Sequence, residues 1–313
     1  MFAPARQCSR QWIARSFRDG VGKRSMSVRP EETKRTKEGD VAPRKKVTIQ
    51  RLQHMRDAGT PIAMLTAYDY PTGRACETYG VDISLVGDSL AQVCLGYDST
   101  TRLTMDEMLP HCRAVSRGSR NPLLVADMPF GSYYAGLEDA VRAGVRMVRE
   151  GHVEAVKMEG GEEIVPSVRA LTSMGIPVMA HVGLLPQRHT AYSGYRVQGK
   201  DVNSARAVLR AALALEDAGA FSMVLEAVPH HLGTYITQRL RVPTIGIGAG
   251  PGTSGQVLVW NDVMATWNGH KAKFVRRFAD VQGETKKGVI GYIDAVKDRS
   301  FPDASESYEM EAE

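Results

Sequence analysis

Acidic side chains recur at one kind of place in this chain, just past short apolar runs. Asp69 follows residues 62–67, Asp88 follows 83–86, Asp127 follows 123–126, Glu159 follows 155–158 and Glu226 follows 222–225, while His181 ends the run 177–180. Acids are roughly a tenth of residues in average proteins, so five of eight runs ending this way by chance is on the order of one in a hundred. Carboxylates that converge raise one another's pKa or demand a cation. Hard oxygen donors, with no Cys or His cluster beside them, point to Mg2+ or Mn2+ rather than Zn2+. Such an ion keeps positions open, and a 2-oxo acid can fill two of them with its carboxylate and keto oxygens. Chelation of that kind polarises the carbonyl and stabilises an enolate at the adjacent carbon.

Lys157 lies two residues before Glu159, so both project to one face of an extended segment. An ammonium group there could pair with a substrate carboxylate or keto oxygen. Gly160 and Gly161 follow and permit close backbone approach. Ser89, next to Asp88, could donate a hydrogen bond to a carboxylate. Each residue also has a plainer reading. Asp88 and Ser89 could cap the next segment, Asp127 could shape the turn before Met128-Pro129, and Lys157 with Glu159 could be a simple ion pair. Glu226 could cap a helix entered near Pro229, and His181 could be a satisfied core histidine. Asp69 reads as a turn residue with Tyr70-Pro71 and stays outside the site.

The elements that must carry these residues are eight runs, at 62–67, 83–86, 123–126, 155–158, 177–180, 222–225, 244–247 and 257–259. They are apolar nearly throughout rather than alternating, as strands covered on both faces are. Between them the spacing turns helical. Leu137, Ala140, Val141, Gly144, Val145 and Val148 draw one stripe with Gly151 as the expected C′ residue. Thr104 and Glu107 form a capping box, and Val208, Ala212 and Leu215 line another helix closed by Gly219. Strand alternating with helix eight times predicts an α/β fold, a closed (β/α)8 TIM barrel, with an open doubly wound sheet as the alternative. The eighth strand is the weakest, because its helix must come from the poorly patterned region beyond Asp262. In a barrel all the strand-ending side chains gather at one rim. The glycines at 246, 248, 250 and 252 follow the seventh run, where barrels often hold phosphate; Pro251 breaks the GxGxxG pattern, and the default reading is a tight turn.

The net charge of +5 belongs to one end of the chain. Residues 1–46 hold 13 Lys/Arg against 5 Asp/Glu, and the remainder 27 against 30, so the body is slightly acidic. That argues against a nucleic-acid-binding body. The first 28 residues are Arg-rich with a single acid, Asp19, and interspersed Phe2, Trp12, Ile13 and Phe17. This composition predicts a cleaved mitochondrial presequence, with a basic tail of a cytoplasmic protein as the alternative. Residues 29–46 read as a linker, 47–300 as the catalytic barrel and 301–313 as a disordered acidic tail. The four cysteines show no metal or CxxC spacing, and no run approaches a membrane span.

Seven segments occur in an order that resembles the ketopantoate hydroxymethyltransferase family: LTAYDY (65–70), LVGDSL (85–90), LLVADMPF (123–130), VKMEGG (156–161), GYRVQGK (194–200), LEAVP (225–229) and IGIGAG (245–250). The resemblance implies a barrel of the phosphoenolpyruvate/pyruvate type. It implies transfer of a hydroxymethyl group from 5,10-methylenetetrahydrofolate to 3-methyl-2-oxobutanoate, giving 2-dehydropantoate for pantothenate and coenzyme A synthesis. By motif it makes Asp88, Asp127 and Glu159 the Mg2+ site and puts Asp88, Ser89, Asp127 and Lys157 against the keto acid. Glu226 matches the general base, and His181 falls among the substrate-binding residues. A large homo-oligomer, often a decamer, is implied as well. The nearest rival is a 2-oxo-acid carbon–carbon lyase or phosphoenolpyruvate mutase relative of the same fold.

Overall fold

The computed structural model describes residues 44–267 and 271–310. Eight parallel strands close on themselves in chain order: β1 Ile62–Thr66, β2 Ile83–Val86, β3 Leu123–Asp127, β4 Ala155–Glu159, β5 Val178–Gly183, β6 Ser222–Glu226, β7 Thr244–Ile247 and β8 Gly255–Leu258. β1 pairs with β8 through Ile62↔Gly255 to Leu65↔Leu258, which rules out the open sheet. The helices among the described residues are α1 Ile49–Asp57, α2 Tyr70–Thr78, α3 Leu90–Val93, α4 Met105–Gly118, α5 Leu137–Gly151, α6 Val165–Ser173, α7 Val202–Asp217, α8 His230–Arg239, α9 Trp260–Met264 and α10 Val281–Asp298. β7 and β8 are joined by a turn, with no helix between them.

Two apolar layers hold this together, and the strands serve both. Ile62, Met64, Ile83, Leu85, Leu123, Val125, Ala155, Met179, Val224, Ile245 and Val257 fill the inside of the barrel. Their neighbours in sequence, such as Leu124, Ala126, Val156, Met158, Val178, Ala180, Met223 and Leu225, pack outward on the helices. Continuous apolar runs are thus a double requirement, with odd and even positions buried against different partners. Each fully buried Leu or Ile contributes roughly 1.5–3 kcal/mol over leaving it in water. Leu52 and Met55 of α1 join the inner layer and close the barrel at the end where the strands begin.

The helix ends follow their local chemistry. Thr104 and Glu107 form the expected capping box at the start of α4. Asp69 caps α2 by accepting a hydrogen bond from the Thr72 backbone at 2.8 Å, so its carboxylate is spent locally. α7 is capped by Asp201, and Gly219, at φ 98°, follows its end. One expectation is corrected at α5. Gly151 is the last helical residue, and the left-handed position is taken by His152, at φ 58°. Gly151 serves packing instead, since a Cβ there would lie 3.1 Å from Cys112 Cβ.

The leader residues 1–43, with the expected presequence and most of the linker, lie outside the described residues. Arg44 and Lys46, at the end of that linker, are pinned to the barrel. Arg44 pairs with Asp82 and donates to Val81 O at 2.6 Å, and Lys46 donates to Pro122 O at 2.7 Å. At the other end α10 buries no residue. Val289, Tyr292, Ile293 and Val296 fall on one face at helical spacing, each at least 40% exposed. Within 301–310 a short 3-10 turn, Ala304–Glu306, is capped by Asp303. No helix among the described residues is long and apolar enough to cross a membrane.

Candidate active site

Alternation along the strands decides which groups reach the mouth. On β4, Ala155 faces inward, so Lys157 and Glu159 do too; on β3, Leu123 and Val125 bring Asp127 with them. Registers Asp127↔Lys157, Glu159↔His181 and Gly183↔Glu226 then set these residues side by side around one rim. Asp88 comes from the turn after β2. All of Asp88, Ser89, Asp127, Lys157, Glu159, His181 and Glu226 line one cavity of about 190 Å3. The structure therefore brings together every residue expected there, and leaves Asp69 out.

Lys157 Nζ donates to Asp127 Oδ1 at 2.6 Å and stands 3.7 Å from Glu159 Oε1. Asp127 uses its other oxygen to accept the Asp88 backbone N–H at 2.9 Å. Ser89 Oγ and Tyr68 Oη are 2.8 Å apart, so that pair can orient a hydroxyl toward a ligand. Ser89 opens α3 without a side-chain cap bond, and Pro229 rather than Glu226 caps α8. The capping readings of both residues fall away.

Gln187, in the loop after β5, carries no motif and was not foreseen. Its Nε2 donates to Asp88 Oδ2 at 2.9 Å and to Met128 O at 3.0 Å, and its backbone N–H donates to Glu159 Oε2 at 3.1 Å. Tyr133 Oη donates to Gln187 Oε1 at 2.9 Å, which fixes the amide's orientation. A loop glutamine gives no periodicity to read; only its position soon after His181 could have hinted at it.

His181 is 2% exposed, and neither ring nitrogen makes a hydrogen bond. Its Nε2 lies 3.3 Å from Glu226 Oε2, and its Nδ1 3.6 Å from Glu159 Oε1. Burial, and then the Lys157 charge, keeps its pKa well below the ordinary histidine value, so the ring is neutral. A buried imidazole with both nitrogens idle is costly unless a ligand completes it.

The backbone under Glu226 is tightly specified. Gly183, at φ 96°, lies where an added Cβ would sit 2.3 Å from Glu226 O, and Ala227 holds a left-handed φ of 45°. Ala227 is tied down through Ile247 O and the Gln198 N–H. Strain of this sort persists only where the surroundings over-determine it. Burial pushes the Glu226 carboxyl up to about 8, with Lys157 opposing and Asp127 adding to the rise.

Four carboxyl groups, Asp88, Asp127, Glu159 and Glu226, share this mouth with one ammonium. Burial, ahead of the Asp127 charge, pushes Asp88 up to about 7, and burial also holds Glu159 well above the carboxylate range. Burial works against the Lys157 ammonium, yet Asp127, Glu159 and Asp88 outweigh it and raise its pKa. The cluster is short of positive charge. Among the described residues no three His, Cys, Asp or Glu side chains stand as a ready-made metal group. The donor set nonetheless fits a hard divalent cation. Gln187 occupies one oxygen of Asp88 and one of Glu159, which leaves Asp88 Oδ1 and Glu159 Oε1 for another partner, while Asp127 would share its charge with Lys157.

Residues 46–304 match a family model described as ketopantoate hydroxymethyltransferase. The chain is 46% identical over 273 residues to the 3-methyl-2-oxobutanoate hydroxymethyltransferase of Emericella nidulans, covering 87% of this chain and 78% of that one. It is 48% identical over 268 residues to the enzyme of the same name from Carboxydothermus hydrogenoformans, covering 86% and 97%. Among solved structures, the phosphoenolpyruvate phosphomutase of Streptomyces platensis superposes with a TM-score of 0.53 at 16% identity, over 80% of this chain and 88% of that one. A likeness at that identity speaks for the shared barrel alone.

Proposed function

The chain belongs to the ketopantoate hydroxymethyltransferase family, and on that premise we propose that it transfers a hydroxymethyl group from 5,10-methylenetetrahydrofolate to 3-methyl-2-oxobutanoate, forming 2-dehydropantoate for pantothenate and coenzyme A synthesis. The observation that carries this reading is the placement of Glu226, a carboxyl raised to about 8, across one cavity from Lys157, Asp88 and Asp127. A base and a cationic cradle for a keto acid face each other over a space of small-molecule size.

Mg2+ held by Asp88 and Asp127, with Glu159 acting directly or through water, would supply the Lewis acid that polarises the keto carbonyl. Lys157 adds positive charge where negative charge develops on the keto oxygen. Ser89, steadied by Tyr68, donates to the substrate carboxylate, and His181 offers a nitrogen to the bound acid. Glu226 removes the C3 proton, and its high pKa makes it a strong base once ionised. Water hydrolyses the methylene bridge, so that tetrahydrofolate leaves and the one-carbon unit is released as formaldehyde; the C3 carbanion adds to its carbonyl, and the proton held by Glu226 returns to the alkoxide so formed. The lyase and mutase rival rests on fold likeness only, at 16% identity for the phosphomutase.

Two further parts of the reading follow. The exposed apolar face of α10 supports self-association into a homo-oligomer, with a decamer expected. The Arg-rich leader supports a mitochondrial location.

The test is deuterium uptake at C3 of 3-methyl-2-oxobutanoate without folate, in wild type and in Asp88→Ala. Exchange that requires divalent cation and vanishes in the variant is expected, together with 2-dehydropantoate once the folate is added. Exchange that ignores a chelator would overturn the mechanism.

A further inference from the structure

The cavity is divided by chemistry. Its β2–β5 side carries Asp88, Asp127, Lys157, Glu159 and His181 and takes the keto acid. Its β6–β8 side is lined by Val224, Ile247, Val257 and Val259, with Phe274 and one carboxylate, Asp262. Glu226 stands at the border. The carbon that loses its proton to Glu226 is the carbon that must meet the one-carbon donor, so the donor enters over the apolar side. What remains there for a second substrate is a hydrophobic wall, one aromatic ring and one acid.

That combination has a chemical complement. A reduced pterin has a planar pyrimidine half whose faces can lie against hydrocarbon and aromatic side chains, and its N3–H and 2-amino groups form a donor edge, which pairs with the two oxygens of a carboxylate. Asp262 lies in the first turn of α9 just past β8, and Trp267 Nε1 donates to its Oδ1 at 3.3 Å, a bond that sets the carboxylate's direction and leaves lone pairs on both oxygens. Phe274 is seated by the glycine turn after β7. A Cβ on Gly248, which holds φ 66°, would meet the Phe274 ring at 2.7 Å. Gly248 therefore makes room for an aromatic ring, while Gly250 and Gly252 do the same for His230 and Thr234. Burial raises the Asp262 carboxyl above its ordinary value, with the Trp267 hydrogen bond and the Arg277 charge opposing.

We propose that Asp262 and Phe274 form the pterin subsite of this mouth, the carboxylate taking the N3–H and 2-amino donors while the ring of Phe274 covers the bicycle. This rests on the folate reading above. The experiment measures binding of tetrahydrofolate, and of its analogue lacking the 2-amino group, to the full-length protein with Mg2+ and 3-methyl-2-oxobutanoate, where no turnover can occur. Wild type is expected to prefer tetrahydrofolate by about tenfold or more, the usual effect of one charge-assisted hydrogen bond. Asp262→Asn is expected to bind both compounds alike. Phe274→Ala should weaken both by roughly tenfold and leave their ratio unchanged. A wild type without preference, or an Asp262→Asn protein that keeps it, overturns the subsite while the transferase reading stands. If wild type binds no tetrahydrofolate yet still exchanges the C3 proton, the folate reading fails and the subsite with it.

Discussion

Lys157 at the barrel mouth and Val289 on α10 both sit against their type. The ammonium-bearing residue is 5% exposed and the valine 53%. Around Lys157 lie carboxyl groups that burial forces toward their neutral forms; around Val289 lie Tyr292, Ile293 and Val296, turned to solvent. Each region is left incomplete within a single chain. Buried charge lacks a countercharge, and exposed hydrocarbon lacks a cover. Chemistry at the mouth calls for a small ion and a small acid, whereas the helix face calls for another protein surface. Changes at the two should therefore report on different partners.

The largest effect is expected from Lys157→Met. Removing the only ammonium from a cluster of four carboxyl groups should cost about 3–5 kcal/mol of stability, measured by urea unfolding, because the remaining charges are left unpaired. Exchange at C3 should fall by about a thousandfold. Unchanged stability would show that Asp88 and Glu159 are already neutral without the lysine.

Glu226→Gln should split the two quantities. C3 exchange should drop by about 10^2–10^4. Stability should move the other way, and the sign follows from the raised pKa. Glu226 goes from an ordinary 4.5 to about 8 on folding, so folding favours its protonated form. The stability it contributes is complete below 4.5 and is lost as pH rises through 8. The glutamine variant should then melt higher than wild type near pH 9 and no higher near pH 4, by calorimetry at about those two values. Equal melting at both would remove the assignment of Glu226 as a buried acid.

A smaller effect concerns rate against pH. Wild-type exchange should climb as pH approaches about 8, where Glu226 ionises, and level off above it. A profile flat from acid to alkaline pH would separate the base from this residue.

The smallest change in the single chain is expected from Val289→Asp with Ile293→Asp. α10 buries nothing, so the fold should lose no more than about 0.5 kcal/mol. Assembly size, followed by sedimentation, should nonetheless fall. An unchanged assembly would mean that α10 is not the covered face.

The barrel was legible because both faces of β2 to β6 are buried, which writes those strands as unbroken apolar runs, whereas β1 and β8 each expose one residue, Ala63 and Gln256. The limits blurred where polar groups took over. β5 runs on through His181 to Gly183, beyond the run at 177–180, because His181 continues the inward alternation. The strand-end acids were legible for the same reason: a charged residue terminating such a run is out of keeping with it. Gln187 and Tyr133 were not, since their roles come from loop geometry that leaves no period. Nor was α10, whose Gly283, Gly288 and Gly291 lower its helix propensity and whose apolar face answers to no core within the chain.

The floor of the barrel limits how far the chain can be shortened. Leu52 and Met55 seal it from below, and Val47 N, Lys46 Nζ and Arg44 Nη1 stitch the approach to the starts of β2 and β3. Removal of residues 1–43 would leave these ties in place. Cutting farther in would unplug the cylinder and admit water to the hydrocarbon beneath the catalytic groups.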